Sequence, residues 1–139
     1  MSDENHGERT LKVLLYSDDR STRDNVRLAL GRRIAKDLPE IEIFETATAP
    51  AAQKAVTKGA FDLLILDAEA VPLGGMGLSR QFKDELPDCP PIVLLVARVA
   101  DAWLATWSNA DAIVPLPIDP IRLPNTVAEV ARKRMSTAV

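Results

Sequence analysis

The sequence predicts an α/β protein: an open, parallel, five-stranded sheet covered by helices on both faces. Three observations predict it. Short, nearly continuous apolar runs recur along the chain, as strands buried on both faces require. They alternate with segments whose apolar residues return at helical spacing. Each connection is long enough to hold a helix, which a parallel crossover needs and a hairpin does not. At 139 residues the chain makes one domain, and about two thirds of its unfolded surface can be buried without disulfide staples.

The elements follow in order. A polar stretch, MSDENHGERT, is expected to be a disordered tail over 1–10. LKVLLY at 11–16 reads as a buried strand, closed by Asp18 and Asp19. Ser21 with Asp24 resembles a capping box, and Val26, Leu30 and Ile34 continue at helical spacing, so a helix is predicted over 21–37, ended before Pro39. IEIFE at 41–45 alternates like a shorter strand, and Pro50 opens a second helix with Gly59 as its C-cap.

FDLLILD at 61–67 is the clearest strand. A glycine-rich loop, AEAVPLGGMG, follows it, with room for function, and then a helix over 77–86. PIVLLVA at 91–97 is the fourth strand, and a short helix is predicted over 100–109. AIVPL at 112–116 is the last strand; Pro115 cannot donate to a ladder, which suits an edge. A helix over 120–134 closes the chain, with Pro124 in its first turn.

Composition excludes several functions. Lys and Arg number 17 against 20 Asp and Glu, a net charge of −3, which argues against a nucleic-acid surface spread over the domain; 4% aromatics leaves no base-stacking platform. Arg132, Lys133 and Arg134 suit the dipole of a last helical turn. No apolar run approaches a membrane span, and the N-terminus lacks an apolar signal region, so a cytoplasmic protein without membrane insertion is expected. Cys89 lies among prolines, and the single histidine, His6, is in the polar tail, so Cys89 reads as a small apolar filler. The chain does not read as an enzyme: no GxSxG elbow is present. The first β-α turn, YSDDRST, holds acids where a flavin phosphate would need glycines and backbone donors.

In open parallel sheets ligands collect beyond the carboxyl ends of the strands, at the switch in strand order. Asp18 and Asp19 end the first strand and Asp67 ends the third. In the flavodoxin-like order 2-1-3-4-5 these strands are neighbours, so the three carboxylates are expected to crowd into one acidic pocket. Crowded anions need relief from a cation or a shared proton, and hard oxygen donors suit Mg²⁺. Separate solvation of three ordinary loop aspartates is the alternative.

These residues resemble a known family. LKVLLYSDDRSTRDNV is similar to the first strand and acidic pair of two-component response-regulator receiver domains (CheY-like), and FDLLILDAEAVPLGG to the third strand carrying their phospho-accepting aspartate. The resemblance covers 11–134, leaving 135–139 as a C-terminal tail, and implies a flavodoxin-like (βα)5 three-layer sandwich. It implies Asp67 as acceptor of a phosphoryl group from a histidine kinase. It also implies Asp18, Asp19 and Asp67, with the backbone carbonyl of Glu69, as ligands of Mg²⁺.

The chain departs from the family where the family switches. The hydroxyl residue expected at the end of the fourth strand is Ala97, the lysine expected at the end of the fifth is Leu116, and the aromatic switch position is Ile113. Arg98 does not obviously replace the lysine, because adjacent strand residues point to opposite faces. A degenerate receiver is therefore expected, acting by protein contact. Trp103 and Trp107, four residues apart, either anchor a partner or pack inward. The sequence also resembles stand-alone actinobacterial receivers, some associated with respiratory NADH dehydrogenase. That likeness offers a second role, an accessory subunit at the cytoplasmic face of a membrane complex.

Overall fold

A computed structural model describes residues 10–97 and 107–137. The elements are β1 (Leu11–Tyr16), α1 (Arg20–Leu30), β2 (Ile41–Thr46), α2 (Ala49–Lys58), β3 (Leu63–Asp67), α3 (Gly75–Glu85), β4 (Ile92–Val96), β5 (Ala112–Pro115) and a C-terminal helix, Arg122–Thr137. The strands form one parallel sheet in the order β2-β1-β3-β4-β5, as the sequence predicts. β5 is an edge strand, and Pro115 sits in it opposite Val96.

Alternate side chains of the central strands feed two cores. Leu11, Val13, Leu15, Leu63, Ile65, Val93 and Leu95 are buried beneath Val26 and Leu30 of α1 and Leu123 and Val127 of the C-terminal helix. On the other face Leu14, Leu64, Leu66, Ile92 and Leu94 meet Ala52 and Val56 of α2 and Leu78 and Phe82 of α3. Burial on both faces is why these strands carry continuous apolar runs instead of alternating ones.

Several boundaries differ from the prediction, among them the start of β3 at Leu63 and of α3 at Gly75, and those of α1 have a visible cause. α1 stops at Leu30 because Gly31 takes φ 61°, its N–H closing on the Arg27 carbonyl. Ile34 still packs on the core, but from the following loop, so its helical spacing misleads. α1 also begins earlier, capped by Asp19 and not by Ser21: the Asp19 carboxylate accepts from the Ser21 N–H at 3.2 Å. The C-terminal helix runs through Thr137, into the stretch expected to be a tail. The predicted helix over 100–109 lies outside the described residues except at its end, where Trp107 is helical.

α3 starts hard against the end of β3. A Cβ on Gly75 would stand 2.9 Å from the Leu66 Cβ and 3.0 Å from the Asp67 carbonyl oxygen, so only glycine allows this approach. The approach brings the β3-α3 loop back over Asp67.

Candidate functional site

The register decides which residues surround Asp67. Tyr16 pairs with Leu66, so the next residue of β1, Ser17, stands beside Asp67. Asp67 is 3% exposed and Ser17 fully buried. The Ser17 hydroxyl donates to Asp67 Oδ2 at 2.7 Å, and the Glu69 N–H donates to Oδ1 at 2.8 Å. Two donors thus hold the carboxylate from opposite sides.

Asp18 is near enough for its charge to act on Asp67, while its own Oδ2 accepts weakly from the Val71 N–H at 3.4 Å. Asp19 is not part of this group. Its two oxygens receive the Ser21 N–H and, at 2.9 Å, the Thr22 hydroxyl, which commits it to the helix N-terminus. Of the three carboxylates expected together, the structure gives Asp67 a serine partner and the nearby charge of Asp18, while the hydrogen bonds of Asp19 go to the start of α1. Among the described residues no group of three or more His, Cys, Asp or Glu is placed to hold a metal ion.

Burial raises the Asp67 pKa above the usual carboxylate range; the Ser17 and Glu69 donors pull it back, and the Asp18 and Glu69 charges add to the rise. Tyr16 is pushed up by burial first and then by the charges of Asp18 and Asp67. Its hydroxyl donates to the Leu73 carbonyl, pinning the β3-α3 loop to the end of β1. On the loop's other side the Glu69 carboxylate accepts the Ala97 N-H at 3.1 Å. The loop is therefore tied to both strands that flank β3.

Ala97, Leu116 and Ile113, the positions expected to depart from the family, carry neither charge nor side-chain hydroxyl. Ala97 contributes only that backbone contact, and Leu116 packs against the core beneath α1 and the C-terminal helix. Ile113 is partly exposed on β5. Trp103 and Arg98 lie outside the described residues. Trp107 is 47% exposed, with the Arg80 guanidinium 4.8 Å above its ring and also donating to its carbonyl at 3.2 Å. It therefore neither packs fully inward nor stands alone. An open groove of about 800 Å³ lies elsewhere, at the N-terminal end of β5, where Lys83 pairs with Asp111 and Arg134 with Asp88.

No protein-family model matches the chain. Two uncharacterized response regulatory proteins from strains of Mycobacterium tuberculosis are each 50% identical over 122 residues, spanning 88% of this chain and 92% of the relative. The chain belongs to the response-regulator receiver family. The receiver's fold matches a CheY-like receiver domain protein from Methanospirillum hungatei, with a TM-score of 0.77 at 17% identity over 93% of this chain and 99% of that one. A response regulator from Chloroflexus aurantiacus gives 0.77 at 19% identity, over 89% and 99%. Likenesses this remote speak to the fold alone, and the β-α order and the strand order 2-1-3-4-5 agree with them.

Receiver domains commonly bind Mg²⁺ at the phosphorylation site. Mg²⁺ usually takes one or two protein carboxylates and completes its octahedron with water or phosphate oxygens. Asp18 and Asp67, with the Glu69 carbonyl, are chemically suited to that minimal donor set, while both Asp19 oxygens already accept hydrogen bonds at the start of α1. Ser17 and Tyr16 are the residues that sequence reasoning missed. Counting the β1 register forward from Tyr16 would have found Ser17, because the place beside Asp67 is one residue earlier than the acidic pair suggests.

Proposed function

We propose that this receiver acts in the cytoplasm as a signalling protein, not an enzyme, and that Asp67 accepts a phosphoryl group from a histidine kinase. Its output is contact with a protein partner. The observation that carries this reading is the placement of Asp67, a buried carboxylate at the end of β3, oriented by Ser17 and Glu69. A carboxylate so held presents a preset lone pair, and positioning supplies much of what phosphoryl transfer needs. In that transfer an Asp67 oxygen bonds to phosphorus, the phosphorus–nitrogen bond of the kinase phosphohistidine breaks, and the imidazole leaves. Bound Mg²⁺ would supply neutralisation of charge on the phosphoryl oxygens.

With Ala97 and Leu116 in place of a hydroxyl and an ammonium, the site has fewer groups to grip a phosphoryl oxygen. Transfer is expected to be slow and its effect on the outer face small. The same substitutions favour a second reading, a phosphorylation-independent accessory subunit of a larger complex such as respiratory NADH dehydrogenase. The relatives' names mention no such complex, and this partner rests on sequence resemblance alone.

Incubation with acetyl phosphate and Mg²⁺, followed by intact mass, separates the readings. Wild type should gain one phosphoryl group and Asp67→Asn none. No gain in wild type would overturn the acceptor role and leave the accessory role standing.

A further inference from the structure

The buried Asp67 carboxylate forms no ion pair with a basic side chain among the described residues. Its partners are instead the Ser17 hydroxyl and the Glu69 amide. Ser17 is itself held firmly. Its N–H donates to the Thr46 carbonyl at 3.1 Å, its carbonyl accepts Arg23 Nη1 at 2.7 Å, and its Oγ accepts the Asp19 N–H at 3.1 Å. The single hydroxyl proton has two acceptors in reach, Asp67 Oδ2 at 2.7 Å and the Asp19 carbonyl at 3.4 Å, and the much shorter distance gives it to Asp67.

The place beside Asp67 in the sheet therefore belongs to a neutral donor. An acid there would set a third negative charge against Asp67 and Asp18 in a buried site, and such a cluster needs a cation to relieve it. With the neutral Ser17 in place, the described charges of the site are those of Asp67, Asp18 and Glu69, and a positive group is not required.

We propose that Ser17 is a positioning residue that lets the Asp67 pocket stand without a divalent cation, its hydroxyl and the Glu69 amide doing for the carboxylate what a bound cation would otherwise do. The functional meaning rests on Asp67 being the acceptor, but the cation dependence does not. Two carboxylates that already have hydrogen-bond donors would hold Mg²⁺ weakly in this pocket, and a phosphoryl group would add its own oxygens to the donor set.

The test is thermal melting of the full chain, without phosphoryl donor, in millimolar MgCl₂ against KCl of matched ionic strength. Wild type should melt at nearly the same temperature in both. Ser17→Asp should melt lower in KCl and regain stability in MgCl₂, because a ligand bound only by the folded state raises its melting temperature. Ser17→Ala should melt lower in both salts alike. Ser17→Asn, close in size to Asp but uncharged, separates charge from bulk and should show no Mg²⁺ response.

A wild-type rise in MgCl₂ as large as that of Ser17→Asp would overturn the proposal. So would equal loss of folding in Ser17→Asp and Ser17→Asn whatever the salt, because bulk and not charge would then govern the position. Failure of acetyl phosphate to modify Asp67 would overturn the acceptor reading and leave these melting differences unchanged.

Discussion

At the scale of single residues, a helix cap and a pocket acid are the same amino acid in adjacent positions. Asp18 faces the site and Asp19 caps α1, one residue apart. Asp19→Ala removes the acceptors of the Ser21 N–H and the Thr22 hydroxyl, and loss of such a cap costs about 1 kcal/mol. Urea unfolding should show that loss, while phosphoryl uptake at Asp67 stays at the wild-type level; uptake as low as in Asp67→Asn would return Asp19 to the pocket. The position of Asp67 at a strand end was legible, because it closes the apolar run FDLLILD. Ser17 was not. Nothing in YSDD marks the serine as the buried partner until the β1-β3 register is counted.

At the scale of elements, the β3-α3 loop is the part most closely fitted to the site. It is tied to β1 through Tyr16 and Asp18 and to β4 through Glu69, and α3 begins in contact with the Asp67 backbone. Gly75→Ala would press a methyl group on Leu66 and the Asp67 carbonyl, and overpacking of this kind costs roughly 1–3 kcal/mol. Chemical denaturation should show a lower midpoint for it. Tyr16→Phe loses one hydrogen bond, worth about 0.5–1.5 kcal/mol, and should speed amide exchange in the loop more than in β1; equal exchange would show that the bond does not hold the loop. Strands were legible at this scale, since two-sided burial writes itself as an apolar run. The end of α1 was not, because Ile34 keeps helical spacing while packing from a loop beyond Gly31.

At the scale of the whole molecule, titration separates two kinds of carboxylate. Asp67 has its folded pKa raised, so its contribution to stability is fully present below its unfolded pKa and is lost as pH rises through the folded value. Glu45 is held low, chiefly by the Arg27 guanidinium and further by Arg23, so its contribution is present above its unfolded pKa and is lost as pH falls through the folded one. The melting temperature of Asp67→Asn relative to wild type should therefore climb from acid to neutral pH. That of Glu45→Gln should fall over the same range. A flat difference for Asp67→Asn would mean that burial does not penalise its charge.

The proposed function joins an acceptor at Asp67 to an outer face where Ala97, Ile113 and Leu116 stand at the expected switch positions. One measurement tests that link most directly: two-dimensional amide NMR of the receiver before and after acetyl phosphate and Mg²⁺. Shifts should gather around Ser17, Asp18 and residues 67–71 and leave Trp107 and Ile113 nearly unmoved. Shifts at Trp107 and Ile113 as large as those beside Asp67 would contradict the account, since they would show coupling that Ala97 and Leu116 are argued to have removed.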